Sequence, residues 1–367
     1  MLLLIFVSFL ISTITTLFII RYSHLYMLDP IGDDPQKFHG KPVPRVGGIG
    51  IASGLILAGL LMSLQRGILA LEYWFLLIAT VPAFAGGLIE DLTKKVGVKT
   101  RLILTMLSSG MGAFLLDASL NRVDIPFIDF TLNFFPLSLA FTMFAVGGIA
   151  HAINIIDGFN GIAGMVSLII LSAIGYISYL LGDIFLMSVC LSAGGAILGF
   201  LLWNYPAGMI FLGDGGAYLL GFLIAEVSVL LVNRHPEVSA WFPVMIVVYP
   251  VTETFFSIYR KKFLRGISPG LPDGLHLHML IYKRLIRWLI GSKEVRYKIR
   301  RNSMTSPYLW TVTMISVLPA IVFWQKTIVL ICLVIAFVFS YIWLYWRIVR
   351  FKSPKWLVLK DVGHKGA

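Results

Sequence analysis

Apolar runs, each about as long as the 20-residue helix that spans a bilayer core, recur along almost the whole chain and leave few folds open. In lipid the backbone must satisfy its own hydrogen bonds within each segment, which selects helices for runs of this length. Eleven such runs can be drawn: Leu2–Ile20, Val46–Leu64, Tyr73–Ile89, Leu102–Asp117, Leu137–Ile156, Ile162–Leu181, Ile184–Trp203, Ala217–Val232, Ala240–Ile258, Tyr308–Trp324 and Thr327–Tyr345. The chain has 367 residues, 58% hydrophobic and 13% charged, against roughly 25% charged in a soluble domain. Mean hydropathy is +0.88. The expectation is an all-α polytopic integral membrane protein, one membrane domain over residues 1–367, with a basic cytoplasmic loop at 259–307. No repeat, low-complexity tract or detachable domain interrupts it. Cys190 and Cys332 lie inside apolar runs, where they read as small core hydrophobes rather than a disulfide or metal pair.

The net charge of +12 would suggest nucleic acid in a soluble protein, but here its distribution carries the information. With the N-terminus outside, every basic residue except Arg66, Arg122, Arg234 and Lys326 falls on the cytoplasmic side. That asymmetry follows the positive-inside rule and puts the C-terminus in the cytoplasm. It implies membrane lipid, and no nucleic acid, as the partner of the excess charge. The opening MLLLIFVSFLISTITTLFII lacks a basic n-region and a small-x-small cleavage site, so it reads as a retained first span.

In this orientation the acids gather on the inner face. Asp29, Asp33 and Asp34 lie in the first inner loop, Glu90 and Asp91 end the third span, Asp157 ends the fifth, and Asp214 and Asp273 sit in the fourth and fifth inner loops. An ionisable group at membrane depth costs kilocalories and marks a functional site. Asp157 stands in NIIDGFNG, where a long apolar helix gives way to a turn at Gly158 and Gly161. Helix capping by Asn and Gly is the plainer reading of that turn alone. Glu90 and Asp91, being adjacent, point about 100° apart on a helix, so they share one ligand only where the helix ends. A desolvated carboxylate beside another gains proton affinity, as a general base needs.

The other inner loops suit phosphate. In DDPQKFHGKPVPRVGGIGI, Lys37, His39, Lys41 and Arg45 sit among prolines and glycines that allow close backbone approach. Asp214 in LGDGG suits a hard cation such as Mg²⁺, which takes oxygen ligands and commonly bridges to substrate phosphates. His276 and His278 share a face in an extended segment and oppose each other on a helix; phosphate binding or proton transfer fits them better than zinc, since no Cys or third His is close. From Met279 onward the segment is amphipathic and basic, with Lys283, Arg284 and Arg287, as in a helix lying on an anionic membrane surface.

Taken in order, DDPQKFHGKPVPRVGG, IEDL, NIIDGFNGIAG, FLGDGGAYLLGF and HLHMLIYKRL resemble the motifs of the polyprenyl-phosphate N-acetylhexosamine-1-phosphate transferase family. The resemblance covers nearly the whole chain. It implies a multi-pass enzyme of the bacterial inner membrane with its active site on the cytoplasmic face. There a UDP-N-acetyl-sugar and undecaprenyl phosphate react to give undecaprenyl-diphosphate-sugar and UMP, with Mg²⁺, or Mn²⁺ in its place, as cofactor; the oligomeric state is left open, a homodimer included. Carried onto this chain, it makes Asp214 the metal ligand and Glu90, Asp91, Asp157, His276 and His278 the catalytic set. Asp34, Lys37, His39, Asn154 and Asn160 become substrate-binding residues. Glu90 stands where the family carries a first aspartate, Lys94 where part of it carries a third, and Met279 where relatives often carry another histidine.

Two other classes compete. A transporter or lipid flippase would gather its polar groups near the midplane around broken helices, whereas these acids sit at the inner rim; Glu226 and Glu253, within the eighth and ninth spans, are the exceptions. An inactive scaffold of a glycan assembly complex would need no carboxylates there at all.

Overall fold

The computed structural model describes residues 1–23, 28–29, 42–65, 67–268, 274–286, 295–352 and 357. The chain runs through α1 (Leu2–Tyr22), the paired short strands β1 (Leu28–Asp29) and β2 (Val43–Pro44), α2 (Gly48–Gln65), α3 (Gly67–Thr93), α4 (Val98–Leu116), α5 (Pro126–Leu132), α6 (Phe135–Ile156) and α7 (Ile162–Leu180). It continues through α8 (Ile184–Asn204), α9 (Gly213–Arg234), α10 (Trp241–Ile246), α11 (Val248–Tyr259), α12 (Leu277–Leu280), α13 (Val295–Val322) and α14 (Thr327–Val349). The strands are antiparallel, with Leu28 opposite Pro44 and Asp29 opposite Val43. Wider π turns at Arg260–Leu264 and Ile281–Ile286 extend α11 and α12.

Among the described residues, eight helices are long and apolar enough to cross a membrane: α1, α3, α6, α7, α8, α9, the Ile299–Val322 part of α13, and α14. The three other expected runs fall on α2, α4 and the α10–α11 pair. The last is a single run in sequence but breaks at Val247. Pro250 has no N–H to give the carbonyl of Ile246, so the ladder cannot pass through that point unbroken. At the other extreme α13 begins well before its apolar part, taking residues 295–307 of the expected basic loop into a helix.

The bundle is built around α9. From Gly213 to Val232 every residue except Asp214 is buried, as a helix apolar on all sides requires. It packs against α2, α3, α4, α6 and α7. The outer helices turn apolar side chains outward, among them Leu2, Phe6 and Leu10 of α1 and Phe339 and Trp343 of α14. Glu226, the second acid of α9 after Asp214, is fully buried, with neither oxygen hydrogen-bonded among the described residues. Its carboxylate fills the space that a Cβ on Gly112 of α4 would take, and it lies about 18 Å along the helix from Asp214 at 1.5 Å per residue.

Helix ends can meet at the start of α9 because side chains are missing there. Gly48 of α2 abuts Gly216, and a Cβ on Gly87 of α3 would lie 2.6 Å from the carbonyl of Asp214. At the far end of the bundle Asp124 accepts from Ser239 Oγ, Ala240 N and Thr327 Oγ1 at 3.0, 2.8 and 3.0 Å, while Arg122 reaches the Val232, His235 and Val238 carbonyls. These contacts tie the loops at that end together without reaching the acids at the opposite end.

Gly87→Ala is expected to destabilise the protein by about 1–3 kcal/mol, because backbone rather than a flexible side chain must yield. Gly148→Ala, whose added Cβ meets nothing within 4 Å, should be neutral or slightly stabilising. Thermal unfolding of both variants in detergent makes the comparison; equal midpoints would contradict the close-approach account.

Candidate active site

One carboxylate organises the site. Asp91, in the last turn of α3, is buried and accepts from the backbone N–H groups of Asp214 and Gly215 at 3.0 and 2.9 Å. Those are among the N–H groups a helix start leaves without intrahelical partners, so a side chain of α3 caps α9 from outside. Gly213 makes the turn at φ +77°, where a Cβ would strike the Arg45 carbonyl and lie 2.6 Å from Asp91 Oδ2. The result aims Asp214, only partly buried, at Arg45 and Arg101. Its Oδ1 lies 3.5 Å from Arg45, and its Oδ2 pairs with Arg101 from the first turn of α4. Arg45 Nε also lies 3.9 Å from Asp91.

Asp157 follows the last residue of α6 and feels both Arg45 and Asp91. Burial pushes its carboxyl up to about 7, Arg45 opposes that shift and Asp91 adds to it. Behind it, Asn154 donates to Tyr218 Oη at 3.3 Å, Tyr218 Oη and His151 Nδ1 are 3.1 Å apart, and the Arg101 guanidinium lies over the Tyr218 ring. Asn160 holds the following turn: its N–H donates to Asn302 Oδ1 at 2.8 Å, its amide to the Pro206 carbonyl at 3.3 Å, and its carbonyl accepts from Ser306. Asn204 supports the same turn, accepting from Gly161 N at 2.6 Å and donating to the Ile210 carbonyl.

The histidines come from the other side. His276 is extended and immediately precedes α12, so the change from strand-like to helical backbone lets the rings stack, 5.3 Å apart and 4° from parallel. A Cβ on Gly158 would lie 2.5 Å from His278 Nε2, which sets that ring against the turn carrying Asp157. Burial and the neighbouring His276 push His278 down to about 3, with Glu253 opposing, so His278 is a neutral imidazole. The segment after it buries Met279, Leu280, Ile281, Tyr282, Leu285 and Ile286. The apolar face expected to rest on a membrane surface is instead covered by protein.

The structure thus brings Asp91, Asp157, Asp214, Asn154, His276 and His278 to one end of the bundle. Glu90 is used differently: its Oε2 accepts from Val96 N at 2.7 Å, closing the turn after α3. The adjacent acids therefore do not present two free carboxylates, since one caps α9 and the other its own loop. Asn160 serves the packing of α13 rather than facing the acids. Asp34, Lys37 and His39 lie outside the described residues. Arg101, Tyr218 and His151 carry no motif of their own in the sequence, and Glu253 stands there only as an acid within the ninth span. Tyr218 had a signal, standing four residues after Asp214 and hence on the same helix face; Arg101 had none beyond being basic in an inner loop.

No group of three His, Cys, Asp or Glu side chains among the described residues forms a metal cage. Mg²⁺ sites that bridge to phosphates need only one or two carboxylates, the rest being water and substrate. Asp214 and Asp157 fit that demand: both offer oxygen, and neither is spent on backbone amides as Asp91 is.

The sequence model of "Glycosyl transferase family 4" matches residues 73–232, a span that holds Asp91, Asp157 and Asp214 and stops short of His276 and His278. The chain is 26% identical over 283 residues to a probable undecaprenyl-phosphate N-acetylglucosaminyl 1-phosphate transferase of Bacillus subtilis, covering 74% of this chain and 75% of the relative. It is 30% identical over 273 residues to the phospho-N-acetylmuramoyl-pentapeptide-transferase of Listeria monocytogenes, covering 71% and 82%. Helical membrane fold, polar end and these matches define a membrane-embedded phosphosugar transferase, an enzyme. The chain belongs to glycosyl transferase family 4, the polyprenyl-phosphate N-acetylhexosamine-1-phosphate transferases.

Asp157 gives a pH signature. Its native value near 7 lies above the ordinary 3.8, so the native state holds the proton more tightly than the unfolded chain. That contribution to stability is complete below about pH 4 and is lost as pH rises through 7. With divalent cations chelated, the thermal midpoint should fall by several degrees between pH 5 and 8, and Asp157→Asn should flatten the fall. Parallel profiles for the two proteins would contradict it.

Proposed function

We propose that this enzyme transfers an N-acetylhexosamine-1-phosphate from a UDP-sugar to undecaprenyl phosphate, forming undecaprenyl-diphosphate-sugar and releasing UMP, as the first step of a cell-envelope glycan such as an O-antigen or capsule. The observation that carries this reading is the convergence of Arg45, Asp91, Arg101, Asp157 and Asp214 from separate chain segments at one end of the bundle. A lipid-borne and a soluble polyanion can meet only where acids able to hold a cation stand beside fixed positive charge. The printed names of the relatives, which specify undecaprenyl phosphate, N-acetylglucosaminyl 1-phosphate and phospho-N-acetylmuramoyl-pentapeptide transfer, support the substrate classes.

In the reaction an oxygen of the lipid phosphate bonds to the β-phosphorus of the UDP-sugar and the bond from that phosphorus to the bridging oxygen breaks, UMP leaving with the electron pair. A phosphate monoester has its second pKa near 6, so it arrives ionised and no proton need be taken by Glu90. Asp214 with Asp157 would hold Mg²⁺, which when bound would supply neutralisation of the diphosphate charge. Asp91 holds the Asp214 turn still. Arg45 and Arg101 balance the acids and are placed to turn toward phosphate oxygens, while the His276–His278 pair borders the same place. Positioning of this kind carries much of the rate in phosphoryl transfer.

The proposal extends to topology. Eleven crossings in one membrane domain, with the N-terminus periplasmic and the C-terminus cytoplasmic, put this polar end in the cytoplasm of a bacterial inner membrane, where UDP-sugars are available. Asp214→Asn should lower Mg²⁺-dependent UMP release at least 100-fold, with normal abundance and thermal midpoint. Membranes containing wild-type protein, assayed with UDP-N-acetylglucosamine and related UDP-sugars, provide the measurement; undiminished turnover in the variant would exclude the metal role, and no UMP from any sugar would exclude the reaction.

A further inference from the structure

Glu253 of α11 is fully buried and lies within an apolar run, yet it is among the best-partnered acids in the molecule. Its Oε1 is 2.8 Å from His276 Nδ1, its Oε2 accepts from Tyr341 Oη of α14 at 2.6 Å, and the Leu277 N–H reaches both oxygens at 3.4 and 3.2 Å. These partners come from two stretches of chain, residues 276–277 and α14, and, where their role is fixed, all are donors. An ionised carboxylate only accepts, so the His276 proton facing it must sit on Nδ1. Tyr249, also buried, lies close enough to Glu253 to feel its charge.

We propose that Glu253 is a positioning residue for the transfer reaction: it locks the His276 ring in the Nδ1–H form, so that Nε2 is the end presented to the phosphates beside Asp157 and His278. The proposal rests on the proposed function, with the His276–His278 pair bordering the reacting groups. A carboxylate behind an imidazole fixes its tautomer and orientation wherever the other nitrogen does chemistry or holds a ligand, and removing it costs about 10–100-fold at metal-bound histidines. The same arrangement accounts for an acid that a purely structural role would leave expensive: replacing a buried ion pair by apolar groups is often neutral or stabilising. The rings beyond follow from it, since His276 stacks on His278 and His278 stands against Gly158.

Glu253→Gln keeps the shape and can still accept from the Leu277 N–H, but its amide can donate to Nδ1 and so reverse the tautomer. Turnover in the UMP-release assay should fall about 10–100-fold with KM for the UDP-sugar within twofold. In a His276→Gln background the same change should cost less than twofold, because a residue acting through another loses its effect when that other is gone. Wild-type turnover in Glu253→Gln, or a loss undiminished in the His276→Gln background, overturns the proposal. ¹⁵N NMR of histidine-labelled wild-type protein provides a reading independent of any variant's folding: the Nδ1–H form of His276 supports the proposal and the Nε2–H form overturns it. If His276→Gln is fully active while Asp214→Asn is dead, the histidine role and this proposal fail but the transferase reading stands; if wild-type protein releases no UMP, both fail.

Discussion

The carboxylate of Asp91 reaching the first amides of α9 is the contact on which the site depends. Two charge-assisted hydrogen bonds to a buried helix start contribute roughly 1.5–3 kcal/mol each, and they do so between elements more than a hundred residues apart. They fix the end of α3 against the beginning of α9 and thereby decide where Asp214 points. The glycines are the other half of the same constraint: Gly87 and Gly48 let backbones come within the distance at which such bonds form, and Gly213 takes the turn that a Cβ would forbid. Without those missing side chains the acids would still sit at one membrane edge, but spread apart.

What the site gathers is charge of both signs in a protein with little of either. Three aspartates and two arginines stand where helices end, at the only depth where a bilayer protein can keep them solvated from one side. Burial pushes the Asp157 carboxyl up to about 7 while Arg45 works against that shift, so the acid is poised where a cation or phosphate can change its state. The histidine segment closes the arrangement from the opposite side, with Glu253 and Tyr341 behind it. Chemistry and packing share residues here: Asn160 and Asn204 pin the turns between helices and thereby hold the loops that flank the acids.

Much of this was legible before any coordinates. Bilayer-length apolar runs gave the helices, because in lipid no other local structure satisfies the backbone, and the ends of those runs gave Asp91, Asp157 and Asp214. The placement of Glu90 was not legible, since neighbours in sequence face different ways and only the fold shows that one side chain caps α9 and the other closes a turn. The role of Arg101 and the partners of Glu253 were hidden for a related reason: a basic residue in a basic loop, or an acid in an apolar run, has no local pattern that names its partner. The amphipathic segment after His278 misled because a helix covered by protein and one resting on lipid share the same periodicity.

The sequence by itself determined a helical membrane protein, the helix ends at which its acids lie, and the family whose motifs it carries, since hydrophobic length and short motifs are local properties. The tertiary structure alone decided which acids are spent on backbone amides and which remain for ligands, that arginines stand against Asp214, and that Glu253 stands behind His276. Those are contacts between distant segments, set by how closely backbones approach, and no window along the chain contains both partners.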